Sequence, residues 1–136
     1  MDILYTAVAH ATGDGRNGHV ADDHGLIDTD VRIPVEMGGA GGAPNPELLF
    51  AAGYAACFHS ALKVVSTGHD LTDSAVSASV GSGANDAGGF GLAVELDVSV
   101  PRVDRDTAQG LVERAHEVCP YSNATRGNVV VTLRVV

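Results

Sequence analysis

Two cysteines are the residues of this chain that could act as nucleophiles or as a redox pair. Cys57 lies within a long apolar segment, and Cys119 stands directly before Pro120, at the end of a charged and periodic segment. Two thiols on separate helices can form a redox-active pair. Each can equally be an inert core residue, because free cysteine is among the most buried residue types. The cysteines alone leave both interpretations open.

Histidines near both cysteines require a zinc site to be considered. His59 follows Cys57 by two residues, and His116 precedes Cys119 by three. Side chains at i and i+3 share a helix face, but those at i and i+2 point roughly 160° apart. A tetrahedral site would therefore need a broken helix between Cys57 and His59, and no breaker lies there. We expect no metal, and we expect His59 and His116 to be solvated residues on helix faces.

A reactive thiol at Cys57 would need a neighbouring cation. The thiolate is the nucleophile, and apolar burial raises the pKa of a thiol. Cys57 is too far from the start of its predicted helix for the dipole to offset this effect. Arg16, in a glycine-rich turn, is a cation that could face inward, and Glu47 is a carboxylate that could hold it. The alternatives are a solvated turn arginine and an ordinary carboxylate in the first turn of a helix.

The segment that carries Cys57 is predicted to be a long helix. Residues 45–47 supply a capping asparagine, a proline and a carboxylate, which are typical of a helix start. The helix is expected to run to about Ser66, with Gly68 as its stop. Residues 48–58 are all apolar, aromatic or glycine, so we expect a central, buried helix. A membrane span needs roughly 20 apolar residues, and this run stops at His59.

The remaining pattern predicts strands around this helix and one further helix. Alternation favours a meander over residues 3–9, 19–22 and 25–33, a hairpin over 74–80 and 92–100 with a long flexible tip, and a last strand over 129–136. Glycines at 38–42 indicate a mobile loop. Apolar residues spaced by three and four predict an amphipathic helix that begins near Asp104 or Asp106 and ends at Cys119. The order is that of one α+β domain over residues 1–136.

The net charge and the first ten residues indicate which partners and which cell compartment to expect. The chain has 136 residues, with 8 Lys and Arg against 17 Asp and Glu, a formal net charge of −9. Such a charge opposes nucleic acid and anionic membranes, so we expect neither as a partner. The first ten residues have no basic region followed by an apolar stretch. We therefore expect a cytoplasmic protein, in which thiols are kept reduced.

The segments around the cysteines resemble the organic hydroperoxide resistance (Ohr) proteins of the OsmC/Ohr superfamily. The resemblance rests on NPELLFAAGYAACF at 45–58 and VCPYSNATRGN at 118–128, and it extends to residues 4–7, 15–18 and 36–42. Only the hairpin tip at 81–91 has no counterpart. The resemblance implies an α+β fold in which antiparallel sheets surround a buried central helix. It also implies an intertwined homodimer.

The resemblance also implies roles for the four residues introduced above. Cys57 matches the peroxidatic cysteine and Cys119 the resolving cysteine, while Arg16 matches the arginine that activates the thiolate and Glu47 the acid that holds it. The implied activity is a thiol-dependent peroxidase, which reduces organic hydroperoxides through a Cys57 sulfenic acid and a Cys57–Cys119 disulfide. A dithiol, the dihydrolipoyl group of a lipoylated protein, would reopen that disulfide. No metal, flavin or haem is implied.

Two other functions remain open at this point. One is an OsmC-type peroxidase with a different oxidant preference, and the other is a non-catalytic stress or binding protein whose cysteines are core residues. For a peroxidase, apolar side chains in or beside the motifs are expected to line the substrate pocket: Met37, Leu48, Phe50, Tyr54, Phe58 and Tyr121.

Helix geometry bears on which chain supplies the carboxylate. Glu47 and Cys57 are ten residues apart, which is about 15 Å along one continuous helix. We therefore expect Glu47 of one chain to support Cys57 of a second chain across a two-fold axis. A kink at Gly53 would allow both to act within one chain instead.

Overall fold

The computed structural model describes residues 1–136, which fall into two compact units, Met1–Leu49 and Phe50–Val136. The boundary lies within the first long helix. The expectation of one domain over the whole chain stays a prediction.

The first unit is built on a three-stranded antiparallel sheet. Its strands are β1 (Ala9–Thr12), β2 (His19–Asp22) and β3 (Asp28–Asp30), in the order β1-β2-β3. A three-stranded meander is confirmed, but its first strand begins at Ala9 rather than at residue 3, β2 is as predicted and β3 is much shorter than predicted. The strand predicted over residues 3–9 is wrong, because residues 1–8 are exposed and outside any sheet. An apolar alternation becomes a strand only where a neighbour pairs with its backbone, and this unit supplies none for residues 1–8.

The glycine-rich segment after β3 turns back tightly. It follows a short 3₁₀ turn at Val35–Met37, and the Gly41 N–H donates to the Ile33 carbonyl at 3.0 Å. A Cβ built on Gly39 would lie 2.0 Å from the same carbonyl oxygen, so only glycine fits there. The segment predicted as a mobile loop is thus tied to its neighbours by backbone hydrogen bonds, and its mobility stays a prediction.

Helix α1 (Pro46–Val65) joins the two units. It begins where predicted, because the Asn45 side-chain oxygen accepts the Leu48 N–H at 2.8 Å. It ends before Gly68, whose φ of 86° is left-handed. These local signals confirm both predicted ends of the helix.

Only one face of α1 is buried within the chain. Its fully buried residues are Tyr54, Phe58, Ala61 and Leu62, whereas Leu48 is 55% and Val64 73% exposed. By length and composition alone α1 is apolar enough to cross a membrane, a criterion that the core helix of a soluble protein also meets. The expectation of a buried helix is therefore confirmed for one face of α1, whereas apolar residues elsewhere on the helix are exposed.

The second unit contains a three-stranded sheet made of β4 (Ala75–Ala84), β5 (Phe90–Ser99) and β6 (Val130–Val135). The predicted hairpin of β4 and β5 is confirmed, but its strands continue through the glycines expected to form a long tip. The tip is reduced to residues 85–89, closed by Asn85, whose side-chain oxygen accepts two backbone N–H groups. Strand β6 pairs with β5 in parallel, so this sheet is mixed, whereas the resemblance implied antiparallel sheets.

Two helices follow β5 and lead to Cys119. Helix α2 (Arg105–Val118) has Asp104 as its N-cap, which accepts the Thr107 N–H at 3.0 Å. Its apolar face packs into the core with the inner face of β5. Helix α3 (Pro120–Thr125) was not predicted, although proline at a first helical position favours it. Cys119 is both the C-cap of α2 and the N-cap of α3.

Candidate active site

The two cysteines lie side by side in the second unit. The Cys119 Sγ–H donates to Cys57 Sγ at 3.6 Å, and both thiols are free. Cys57 comes from the middle of α1, and Cys119 from the junction of α2 and α3. Cys57 is half-buried, whereas Cys119 is fully buried. The fold thus brings together two thiols from separate helices, at a separation that small movements can close.

The surroundings of Cys57 act on its ionisation in opposite directions. Burial raises the pKa of the Cys57 thiol, and its contact with Cys119 raises it further. The backbone N–H of Tyr121, in the first turn of α3, hydrogen-bonds to Cys57 and lowers the same pKa. Burial is the largest of these effects. Formation of the thiolate near neutral pH therefore calls for a positive charge.

A paired arginine lies in the first unit. The two terminal nitrogens of Arg16 donate to the two carboxylate oxygens of Glu47, both at 2.8 Å. Arg16 stands in the 3₁₀ turn Gly15–Asn17, and Glu47 in the first turn of α1. The hydrogen bond to Glu47 raises the pKa of the Arg16 guanidinium, so it stays charged. The two residues that the resemblance linked are therefore in contact within one chain.

An aromatic cluster lines a small cavity in the second unit. The rings of Phe50, Tyr54 and Tyr121 have centroids 5.6 to 6.0 Å apart. A cavity of about 180 Å³ is lined by Phe50, Tyr121 and Ala124. Tyr121 packs directly against Gly53 of α1, where a Cβ would lie 2.8 Å from the tyrosine hydroxyl. The absence of a side chain at position 53 therefore lets this ring lie against the helix.

The six residues expected to line the substrate pocket are found in different surroundings. Phe50 and Tyr121 line the cavity. Tyr54 and Phe58 are 0% exposed and lie in the core, and only Tyr54 has ring contacts with Phe50 and Tyr121. Met37 and Leu48 are 50% and 55% exposed and belong to the first unit.

The two histidines expected to be solvated are both hydrogen-bonded. His59 Nε2 lies 2.9 Å from Ser74 Oγ, and His116 Nδ1 lies 2.8 Å from Ser122 Oγ. Burial lowers the pKa of His116, and the charge of Arg126 lowers it further. The expectation of solvated helix-face residues is wrong, because each ring is half-buried and reaches a serine outside its own helix. Ser122 carries no functional signal in the sequence, since Tyr54, one of its two polar partners, lies 68 residues away in the chain.

Comparison with known proteins identifies the family. The family model described as OsmC-like protein matches residues 39–134. An organic hydroperoxide resistance protein of Xanthomonas axonopodis pv. citri is 51% identical, over 96% of this chain and 94% of its own. The organic hydroperoxide resistance protein OhrB of Bacillus subtilis is 46% identical, over 96% of both chains. A crystal structure of an organic hydroperoxide resistance protein from Elizabethkingia anophelis is 54% identical and superimposes with a TM-score of 0.94, over 99% of this chain and 98% of the other.

The mixed α+β fold, the adjacent thiols and these relatives together place the chain in a class of proteins of the oxidative stress response. The chain belongs to the OsmC-like family, and within it to the organic hydroperoxide resistance proteins. Resistance to organic hydroperoxides, as part of the oxidative stress response, is the function that this membership supports.

Proposed function

We propose that this chain is a thiol-dependent peroxidase that reduces organic hydroperoxides to alcohols. The observation that carries the proposal is the 3.6 Å separation of the Cys57 and Cys119 sulfur atoms. Two free thiols in contact, one half-buried and one fully buried, suit a division of labour between an attacking cysteine and a resolving cysteine.

In the first step the Cys57 thiolate attacks the terminal oxygen of ROOH and breaks the O–O bond. Two electrons leave the sulfur, Cys57 becomes a sulfenic acid, and the alkoxide takes a proton and departs as the alcohol. Arg16, held by both oxygens of Glu47, supplies the positive charge that favours the thiolate and the developing charge on the leaving oxygen. No metal or organic cofactor takes part in this proposal.

In the second step the Cys119 sulfur, after losing its proton, attacks the Cys57 sulfenic sulfur. An S–S bond forms and the hydroxyl leaves as water. Because Cys119 already touches Cys57, this step needs no long displacement. An external dithiol then reduces the disulfide, and we assign this role to the dihydrolipoyl group of a lipoylated protein in the cytoplasm.

The proposal includes a homodimer. The uncovered apolar residues of α1 and the exposed, unpaired residues 1–8 are surfaces that a second copy would cover. Leu4 and Tyr5, for example, are 98% and 81% exposed in the single chain.

The proposed function is tested by counting thiols. One equivalent of cumene hydroperoxide is expected to consume both thiols of the reduced protein and to give a product two hydrogens lighter by mass spectrometry. The two thiols should return on treatment with dihydrolipoamide. If both thiols persist after exposure, the cysteines are core residues and the non-catalytic alternative holds.

We expect a preference for organic hydroperoxides over hydrogen peroxide. An alkyl group that buries about 60 Å² against Phe50 and Tyr121 gains about 1.5 kcal/mol, which is roughly tenfold in rate. The ratio of kcat/KM for cumene hydroperoxide and hydrogen peroxide measures it, and Phe50→Ala should lower the ratio through the organic substrate alone. Equal kcat/KM values in the unmodified protein would favour the OsmC-type alternative.

A further inference from the structure

Four polar side chains in the same unit as the thiol pair are connected by hydrogen bonds, and we call this set the polar chain. Its members are His116 on α2, Tyr54 on α1, and Ser122 and Thr125 on α3. Ser122 Oγ lies 2.8 Å from His116 Nδ1 and 2.9 Å from the Tyr54 hydroxyl. The Tyr54 hydroxyl lies 3.2 Å from Thr125 Oγ1. Tyr54 and Ser122 are 0% and Thr125 3% exposed. The polar chain therefore joins three helices, and three of its four members lie out of contact with water, whereas His116 is half-buried.

The direction of each hydrogen bond can be worked out from one end. Thr125 Oγ1 lies 2.9 Å from the Tyr121 carbonyl and 3.2 Å from the Ser122 carbonyl, which can only accept, so the single hydroxyl proton of Thr125 is donated to these oxygens. Thr125 must then accept from the Tyr54 hydroxyl. That hydroxyl has no second proton, so it accepts from Ser122.

The same argument reaches the imidazole. Ser122 donates its only proton to Tyr54, so it must accept from His116, and Nδ1 of His116 carries a proton. In this arrangement each hydroxyl donates its one proton and accepts one hydrogen bond. A set of hydrogen bonds that share one direction is harder to rearrange than isolated hydrogen bonds, because reversing one donor would break the next bond.

Each cysteine of the redox pair lies three residues from a member of the polar chain. Tyr54 precedes Cys57 by three residues on α1, so the two side chains share a face of the helix. On the other side, Ser122 follows Cys119 by three residues, and the Tyr121 N–H between them hydrogen-bonds to Cys57. The bonds from Tyr54 to α3 therefore clamp the segment 119–122 onto the helix face that carries Cys57.

We propose that the polar chain positions the redox site, by holding Cys119 and the Tyr121 N–H against the Cys57 sulfur. The proposal rests on the proposed peroxidase function and makes His116, Tyr54, Ser122 and Thr125 positioning residues. In this proposal they act through Cys119 and Tyr121 rather than on the hydroperoxide, and no proton passes along them to substrate. Their effect reaches the chemistry because displacement of a reacting group by about 1 Å can slow a step roughly a hundredfold.

The test uses the reduced full-length protein and the variant Tyr54→Phe, which keeps the ring and removes the central hydroxyl. One equivalent of cumene hydroperoxide is added in the presence of dimedone, which traps sulfenic acid, and the adduct and disulfide are quantified by mass spectrometry. We expect disulfide formation to slow about tenfold and the dimedone adduct to rise accordingly. We also expect the pH profile of Cys57 alkylation by iodoacetamide to move to higher pH, because the Tyr121 N–H no longer holds the thiolate.

A second pair of variants tests the far end of the polar chain and does not depend on a buried tyrosine. His116→Leu removes the donor and should reproduce the effects of Tyr54→Phe. His116→Asn places an amide nitrogen where Nδ1 stood and should restore both the disulfide yield and the alkylation profile. Restoration by asparagine distinguishes a hydrogen-bond role from a loss of ring packing.

The matched control is Ser74→Ala, which removes a serine bonded to His59 at 2.9 Å in the same unit, outside the polar chain. It should leave the partition between adduct and disulfide unchanged. The proposal is overturned if folded Tyr54→Phe and His116→Leu behave like the unmodified protein, or if Ser74→Ala shifts the partition as they do. Failure of the unmodified protein to oxidise at Cys57 would count against the peroxidase function instead, and the alkylation profiles would still judge the positioning role.

Discussion

Replacement of Cys57 by serine is expected to abolish reduction of organic hydroperoxides, with a loss of at least about a thousandfold in kcat/KM. A serine hydroxyl is not ionised near neutral pH and cannot form a sulfenic acid, so the first step has no nucleophile. The measurement is steady-state consumption of cumene hydroperoxide with dihydrolipoamide as reductant. Residual turnover near that of the unmodified protein would remove Cys57 from its assigned role.

The companion variant Cys119→Ser separates the two steps and serves as the folding control for Cys57→Ser. It should consume one equivalent of hydroperoxide, because Cys57 is intact, and then stop with Cys57 as a sulfenic acid. Excess hydroperoxide should carry that cysteine on to the sulfinic acid, since no resolving thiol lies beside it. Unchanged turnover with dihydrolipoamide in this variant would show that Cys119 does not resolve the intermediate.

Mixing Glu47→Ala chains with Cys57→Ser chains is expected to restore activity that neither variant has alone. Arg16 and Glu47 are paired within one chain, and Glu47 stands ten residues before Cys57 on the unbroken helix α1, about 15 Å along its axis. We therefore expect this pair to act on Cys57 of a second copy. In a mixed dimer the Glu47→Ala chain supplies Cys57 and its partner supplies Glu47.

The expected size of the recovery follows from random pairing. Half of the dimers are mixed and each has one working site of two, so about one quarter of the unmodified activity should return. The matched control mixes Cys57→Ser with Cys119→Ser. These two thiols touch within one chain, so that mixture should recover nothing. If the Glu47→Ala mixture also stays inactive, Glu47 acts on the Cys57 of its own chain.

The parts of the fold that could be predicted from sequence are those decided by neighbouring residues. Asn45 and Gly68 mark the two ends of α1, and Asp104 marks the start of α2. The β4–β5 hairpin is also a local structure. The prediction of a strand over residues 3–9 is wrong because a strand forms only beside a pairing partner, and the residues of the segment do not identify that partner. The parallel pairing of β6 with β5 is long-range in the same way.

The candidate site divides along similar lines. The cysteines could be selected because the chain has two of them, and Arg16 and Glu47 because they stand in a glycine-rich turn and at a helix start. Tyr54 is expected to line the substrate pocket because it lies in the motif around Cys57, whereas its hydroxyl is bonded to Ser122, 68 residues away in the chain. Hydrogen-bond partners at such separations leave no pattern in a single sequence. A tyrosine in an otherwise apolar helix was the one available sign that a buried polar partner was required.

The two thiols are 62 residues apart in the chain, so a disulfide between them would close a long loop. By the chain-entropy relation such a loop stabilises a folded protein against unfolding by about 4 kcal/mol, because the unfolded chain loses that much freedom. The oxidised form would then resist heat better than the reduced form. By the same thermodynamic cycle, reduction of the disulfide requires that much more free energy in the folded protein than in the unfolded chain. A reductant that closes its own ring on oxidation, as a dithiol does, is suited to supply it.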